Sequence, residues 1–197
     1  METKKKYHER SSDVQNAGWI RRFLAYFIDW YIGFVFTILP IAMMYGMLYG
    51  SKDMISSVIV FAKKDASMAM LAGGLAMLFA FFYYVIVPWK LWEGQTVGKR
   101  LMKIKIVSND GEKANLWQLF LRHMIGMLLV EGGIIGATTV LREMIAVGLH
   151  TSDWILYARY AAYLISFASG MLVTSTRAKR AIHDYIAKTK VEAVQYE

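Results

Sequence analysis

The sequence contains no cysteine, only two prolines and few charged residues, which make up 19% of its 197 positions. Without cysteine the chain can form no disulfide, no thiolate metal site and no iron–sulfur cluster, and it has no thiol nucleophile. The only nitrogen ligands for zinc would be the four histidines, His8, His123, His150 and His183. None lies three to five residues from another, so their spacing does not indicate a zinc site. We therefore expect no metal and no cofactor.

Apolar residues are what the sequence has in excess. They make up 56% of the chain, and its mean hydropathy is +0.34, well above that of a typical soluble domain. Such a chain has ample apolar area to offset the entropy of ordering, which excludes intrinsic disorder. No combination of nucleophile, base and orienting group can be assembled from the sequence, so we expect no catalytic residues and no enzyme. The composition indicates a membrane protein.

Four stretches of the chain are almost free of charge. Because a hydrocarbon core of about 30 Å takes roughly 20 helical residues to cross, each stretch is a predicted transmembrane helix. The spans lie at about 23–50, 66–89, 123–141 and 154–176. The predicted fold is an all-α membrane protein, a four-helix transmembrane bundle. Two glycines after Glu131 weaken the third span, for which an interfacial or re-entrant segment is the alternative.

Lysine and arginine placement predicts the orientation. Residues 1–22 hold six basic residues, 90–122 hold seven and 177–190 hold five, whereas 51–65 hold three and 142–153 hold one. Basic loops remain cytoplasmic, so this alternation favours four spans with both termini inside. The net charge of +8 is then explained by the orientation in the membrane and by contact with anionic lipid headgroups of the bilayer. We expect no nucleic-acid partner.

The cytoplasmic link between the second and third spans contains two local signals. Residues 101–107 alternate between apolar and polar side chains, which predicts a short strand or ribbon at the membrane surface. Asn115 and Gln118 have the spacing of a helix capping box. The segment Gly94–Lys99 reads GQTVGK, but it has one residue too few between its glycines for a phosphate-binding loop, and Arg100 stands where Ser or Thr would bind magnesium.

Three ordered motifs carry a family resemblance: Arg21–Asp29 at the start of the first span, Gly94–Arg100 after the second, and Arg180–Asp184 near the end. Together they resemble the RDD family of bacterial integral membrane proteins. The resemblance implies a membrane domain over residues 19–191, a polar cytoplasmic segment 1–18 and a tail 192–197. It also implies location in the bacterial inner membrane. The chain departs from the common family layout by its enlarged region between Arg122 and Arg177.

The family is named for one arginine and two aspartates, which the resemblance places at Arg22, Asp29 and Asp184. At 1.5 Å per residue Asp29 lies about 15 Å beyond Trp19, close to the middle of the bilayer. An ionised carboxylate there needs a partner, water or a proton. Asp29 and Glu131 are therefore the candidate ion or proton site, with structural pairing of helices as the alternative.

The remaining candidate residues lie near the cytoplasmic boundary. Lys99, Arg100 and Arg122 are predicted to form a cytoplasmic charge cluster. Arg22 and Asp184 fall in the same interfacial layer, where an arginine fork can engage a carboxylate, so we expect these two residues to pair.

Two functions remain open. The first is transport of an ion or small solute through the embedded acidic residues, a role that has also been proposed for the family. Because four spans are few for a lone transporter, this function calls for a homo-oligomer. The alternative is a non-catalytic accessory or regulatory subunit that binds another membrane protein, such as a protease or an exporter.

Overall fold

The computed structural model describes residues 17–50, 55–132 and 135–194. Most of the predicted segment 1–18 and residues 195–197 of the predicted tail therefore lie outside the described residues. The helices are α1 (Trp19–Tyr49), α2 (Val58–Ala62), α3 (Ala66–Leu91), α4 (Val97–Leu101), α5 (Leu116–Glu131), α6 (Gly136–Leu149), α7 (Trp154–Ser175) and α8 (Ile182–Ile186). The strands are β1 (Ile104–Ser108) and β2 (Thr189–Ala193).

Three helices, α1, α3 and α7, are long and apolar enough to cross a membrane. The predicted third span is different, because residues 123–141 do not form one continuous helix. Helix α5 ends at Glu131, and Gly132 adopts a left-handed conformation with φ of +51°. This conformation ends a helix readily, and α6 leaves at an angle of 63° to α5. The described residues thus contain three candidate spans, or four if the bent α5–α6 pair counts as one.

The second halves of α3 and α5 are wound in wider, π-type turns. These stretches cover Phe82–Leu91 and Leu121–Glu131. A π-type turn brings consecutive side chains closer to one helix face than an α-turn does. Both neighbours in Tyr83–Tyr84 and in Arg122–His123 are accordingly buried.

The predicted ribbon is present, but its partner strand comes from the end of the chain. Strand β1 pairs antiparallel with β2, with Ile106 opposite Val191. Residues 192 and 193, predicted to belong to the tail, are part of this sheet. The buried face of the sheet packs on Leu119 of α5, and the predicted capping box at Asn115 and Gln118 begins that helix.

Contacts show which ends of the helices lie together. At the sheet end, the Ala17 N–H donates to the Val191 carbonyl at 3.3 Å, so the start of α1 lies beside β2. At the other end, the Glu143 carboxylate of α6 accepts hydrogen bonds from the Val58 N–H at 2.6 Å and the Ser57 hydroxyl at 3.1 Å. Glu143 thereby caps α2. The α5–α6 pair begins at the sheet end and reaches the opposite end.

Helices α1 and α3 approach closely where Gly33 of α1 faces Tyr84 of α3. A Cβ atom added to Gly33 of α1 would overlap the Tyr84 ring and hydroxyl of α3. Within lipid, such close packing replaces the hydrophobic drive for helix association. Gly33 therefore sets the distance between the two helices at the level of Asp29, one helical turn away.

We expect Gly33→Ala to lower thermal stability in detergent, by about 1–3 kcal/mol, because the added methyl group overpacks the α1–α3 contact. Gly74→Ala is the matched control, since a Cβ atom there meets nothing within 4 Å. Alanine has a higher helix propensity than glycine, so the melting temperature of Gly74→Ala should equal that of wild type or lie slightly above it. Equal melting temperatures for the two variants would contradict the described packing.

Candidate functional site

The Asp29 carboxylate of α1 is buried, with 3% of the residue exposed. It is enclosed by the segment that follows α3. Gly94 has φ of +81°, and an added Cβ atom would strike the Ile106 carbonyl, so this glycine allows the chain to turn back against the sheet. Thr96 then starts the short helix α4, which packs across α1. The turn brings three donors, from Thr96, Gly98 and Lys99, to Asp29.

Four donors saturate the Asp29 carboxylate. Oδ1 accepts from the Tyr83 hydroxyl at 2.7 Å and the Gly98 N–H at 2.8 Å. Oδ2 accepts from the Thr96 hydroxyl at 2.5 Å and the Lys99 ammonium at 3.0 Å. A buried carboxylate is costly unless paired and hydrogen-bonded, and this set satisfies both conditions. We call these five residues the Asp29 cluster.

Gly98 is required for this approach. A Cβ atom there would collide with the Ala25 carbonyl and with the Asp29 carboxylate. The second glycine of GQTVGK therefore serves to bring a backbone N–H against an anion, as glycines of phosphate loops do. The anion here is a carboxylate of the same chain.

A second cluster surrounds Asp184, which is completely buried in α8. Arg122 donates to its Oδ1, and Arg22 donates to Oδ2 at 2.5 Å. The Ala181 N–H also donates to Oδ2, at 2.8 Å. Burial by itself would raise the pKa of Asp184, but the guanidinium groups of Arg122 and Arg22 outweigh it and hold that pKa well below its usual range.

Glu131 forms the third cluster with the start of α8. Its Oε1 accepts from the Ser169 hydroxyl at 2.7 Å, and from the His183 N–H at 3.0 Å and ring Nδ1 at 2.8 Å. The other ring nitrogen, Nε2, lies 3.0 Å from Arg122. Because arginine can only donate, Nε2 must accept and Nδ1 must carry the proton. His183 thus links the Glu131 and Asp184 clusters.

The predicted site residues are distributed differently from the prediction. Asp29 and Glu131, the two residues of the candidate ion or proton site, lie in separate clusters. The predicted cytoplasmic cluster of Lys99, Arg100 and Arg122 is also divided: Lys99 binds Asp29, Arg122 binds Asp184, and Arg100 is exposed and lies over the Trp92 ring at 5.0 Å. Lys99 and Arg122 each pair with the buried carboxylate that their own helix reaches. Arg22 and Asp184 are in direct contact, as expected.

Sequence reasoning missed Thr96, Tyr83 and His183 as partners of the buried carboxylates. Thr96 lies inside the GQTVGK motif, whose two glycines were a usable signal for close approach of the backbone to an anion. Tyr83 gives no such signal, since tyrosines near the end of a predicted span are typical membrane anchors. His183 lies beside Asp184, and only the three-dimensional contact identifies its partner.

The model of the RDD family matches residues 16–188 of the chain. This range contains all three clusters. No curated protein and no solved structure matches the chain.

We expect Arg22→Ala and Asp184→Ala each to lower the free energy of unfolding. The loss in the double variant should be smaller than the sum of the two single losses by at least about 1 kcal/mol. The reason is that either single change leaves a buried charge poorly compensated. The control cycle uses Lys113 and Glu93, whose side chains are paired but are 49% and 77% exposed. That pair should couple by no more than about 0.5 kcal/mol. Additive effects at Arg22 and Asp184 would contradict the pairing.

Proposed function

Because the chain belongs to the RDD family and has helices long and apolar enough to cross a membrane, we propose that it transports a monovalent cation across the bacterial inner membrane. One observation carries this proposal. The Lys99 ammonium lies between two oxygen atoms, 3.0 Å from Asp29 Oδ2 and 3.2 Å from Thr96 Oγ1. An ammonium group held by a carboxylate and a hydroxyl occupies the position that a monovalent cation would take.

The mechanism is competition for Asp29. A cation that binds the carboxylate, with help from the Thr96 and Tyr83 oxygens, must displace the ammonium group. Lys99 is one residue from the exposed Arg100, so its flexible side chain can move to water near the membrane surface. When no cation is bound, the four donors described above occupy the oxygen atoms of the Asp29 carboxylate. Asp29 is therefore charged and paired in both states, which avoids the cost of a lone carboxylate in the membrane.

We also propose that the sheet end of the protein faces the cytoplasm, as the basic-residue counts favour. The contact between Ala17 and Val191 supports an even number of crossings, because it joins the two outermost described segments at one end. The bent α5–α6 pair supplies the fourth crossing in this arrangement.

Helix α7 is the proposed surface for association with another membrane protein. Only 11% of its most apolar window is buried within the chain, compared with 44% for α3. We propose that a second copy of the chain packs there. The alternative function, a non-catalytic accessory subunit, would use the same surface for a protease or an exporter. The molecular mass in mild detergent separates a homo-oligomer from a monomer.

Ion flux into proteoliposomes tests the proposal. Wild-type protein should accelerate uptake of sodium, lithium or potassium ions, each measured separately, over empty liposomes. Asp29→Asn should reduce uptake to the empty-liposome level, because the amide carries no negative charge. Lys99→Met should change the apparent cation affinity, because the competing ammonium is gone.

Lys113→Met is the matched control for Lys99→Met. It removes an ammonium that also pairs with a carboxylate, but at an exposed site. Its uptake should equal that of wild type. If wild type, Asp29→Asn and empty liposomes all give the same uptake of all three ions, the transport proposal is wrong and the accessory function is favoured.

Single cysteines test the orientation, since the chain has none of its own. Asp110→Cys, in the exposed turn after β1, should react with a membrane-impermeant maleimide only after cells are permeabilised. Lys63→Cys, at the opposite end, should react in intact cells. The reverse pattern would overturn the proposed orientation.

A further inference from the structure

Three basic residues lie in the turn between α7 and α8, and we call them the basic turn: Arg177, Lys179 and Arg180. The first is exposed, and the other two are half-buried. None of the three forms an ion pair with a carboxylate of the described residues. The nearby ion cluster adds to the positive charge, because Arg22 and Arg122 share the single carboxylate of Asp184.

The chain reverses at the basic turn and runs back along α7. The Ile182 N–H, at the start of α8, donates to the Ser169 hydroxyl of α7 at 2.9 Å. Ser169 lies six residues before the end of α7 at Ser175, so α8 begins about 9 Å closer to the middle of that helix. Because α7 is a candidate span, the basic turn at its end lies at the membrane surface, in the layer of the lipid headgroups.

The conformation of the turn is fixed by the chain itself. The Lys179 N–H donates to the Thr176 carbonyl at 3.2 Å, and the Lys179 carbonyl accepts from the Arg22 guanidinium. Lys179 has φ of +49°, a left-handed conformation that favours glycine. A lysine that is kept where glycine would relieve backbone strain indicates a use for its side chain.

A phosphate group matches the chemistry of the basic turn. An arginine fork can donate two parallel hydrogen bonds to phosphate oxygens, and a lysine supplies a compact positive charge. An anion would also offset the repulsion within this region, because Arg180 lies close enough to Arg22 for their charges to interact unfavourably.

The surroundings of the basic turn favour a lipid over a free phosphate ion. The Arg180 guanidinium lies over the Tyr185 ring, 6.0 Å from its centroid, and Tyr185 is 49% exposed. Met171, on the last part of α7, is 52% exposed. Exposed tyrosines are typical of the headgroup layer, and an apolar side chain beside them can contact an acyl chain. A free phosphate ion has no apolar part to meet these residues.

We propose that the basic turn binds the phosphate group of an anionic phospholipid in the leaflet at the sheet end of the protein. The inference does not depend on the proposed cation transport. The bound lipid holds the turn in the conformation that contacts Arg22, and it thereby strengthens the connection between α7 and α1. Binding to the folded protein alone should raise its melting temperature.

A lipid titration of the purified protein in an uncharged detergent tests the proposal. Short-chain phosphatidylglycerol should bind wild type and raise its melting temperature. Lys179→Gln/Arg180→Gln should bind this lipid at least about tenfold more weakly, because each basic residue near an anionic lipid contributes a factor of about five. Phosphatidylcholine has no net charge and should bind wild type much more weakly. Equal affinity for the two lipids would overturn the proposal.

Lys63→Gln/Lys113→Gln is the matched control. It also removes two positive charges at exposed positions, but both lie outside the basic turn. Its affinity for phosphatidylglycerol should differ from that of wild type by less than about twofold, because exposed charges far from the lipid are screened by salt. If both double variants lose the same affinity, net charge attracts the lipid and the basic turn is not a site.

Lys179→Gly separates the side chain from the backbone. Glycine adopts the left-handed conformation without strain, so the melting temperature without lipid should equal that of wild type or lie above it. The affinity for phosphatidylglycerol should nevertheless fall by about fivefold. A stable variant with wild-type affinity would exclude the lysine from the site.

Inorganic phosphate distinguishes the two sources of the phosphate group. At equal ionic strength it should displace phosphatidylglycerol no better than chloride does, because it lacks the contacts of the lipid with Tyr185 and Met171. If inorganic phosphate competes with the lipid where chloride does not, the site takes the free ion and the lipid assignment is wrong.

Discussion

A carboxylate that leaves water must be surrounded by donors or by positive charge, and the arrangement of this protein follows from meeting that demand three times. Asp29, Glu131 and Asp184 are all buried. Each is reached by a segment from a distant part of the chain, which fixes how the helices and the segments between them are placed. Lys99 ties α4 to α1, and the contacts of Asp184 tie α8 to both α1 and α5. The hydrogen bonds and ion pairs of the three clusters fix which segments pack together, because lipid provides no hydrophobic drive for helix association.

The demand for partners was predictable from the sequence, whereas the identity of the partners was not. A charge such as Asp29 inside a 31-residue apolar helix requires compensation. Which cation compensates Asp29 depends on a chain reversal between Gly94 and Lys99, which the two glycines permit without specifying its target. The contact of Arg22 with Asp184 was predictable because both residues fall at the same depth. The bend after Glu131 was predictable only as an alternative, since glycines weaken a helix without fixing an angle.

The 3.6-residue period of an α-helix does not predict which side chains are buried in the π-type turns of α3 and α5. A 3.6-residue repeat separates neighbouring side chains, so Tyr83 and Tyr84 would not both be expected to face Asp29. The wider turns bring both toward it, and their hydroxyls reach the carboxylate and the backbone carbonyl of the same residue. The same geometry buries Arg122 beside His123. Such turns are common at functional sites, and here they place two adjacent polar groups on one buried face.

The contact between Arg22 and Asp184 joins residues 162 positions apart, and this separation governs the order of assembly. At a synthesis rate of about 5–20 residues per second, roughly 8–30 s pass between the two residues. During that time α1 is in the membrane while Arg22 has no acidic partner from α8. Strand β1 likewise waits for β2, which follows Asp184 by a few residues. The native structure therefore closes in one late step, when α8 and β2 arrive, and a ribosome stalled before that point would hold an inserted but open protein.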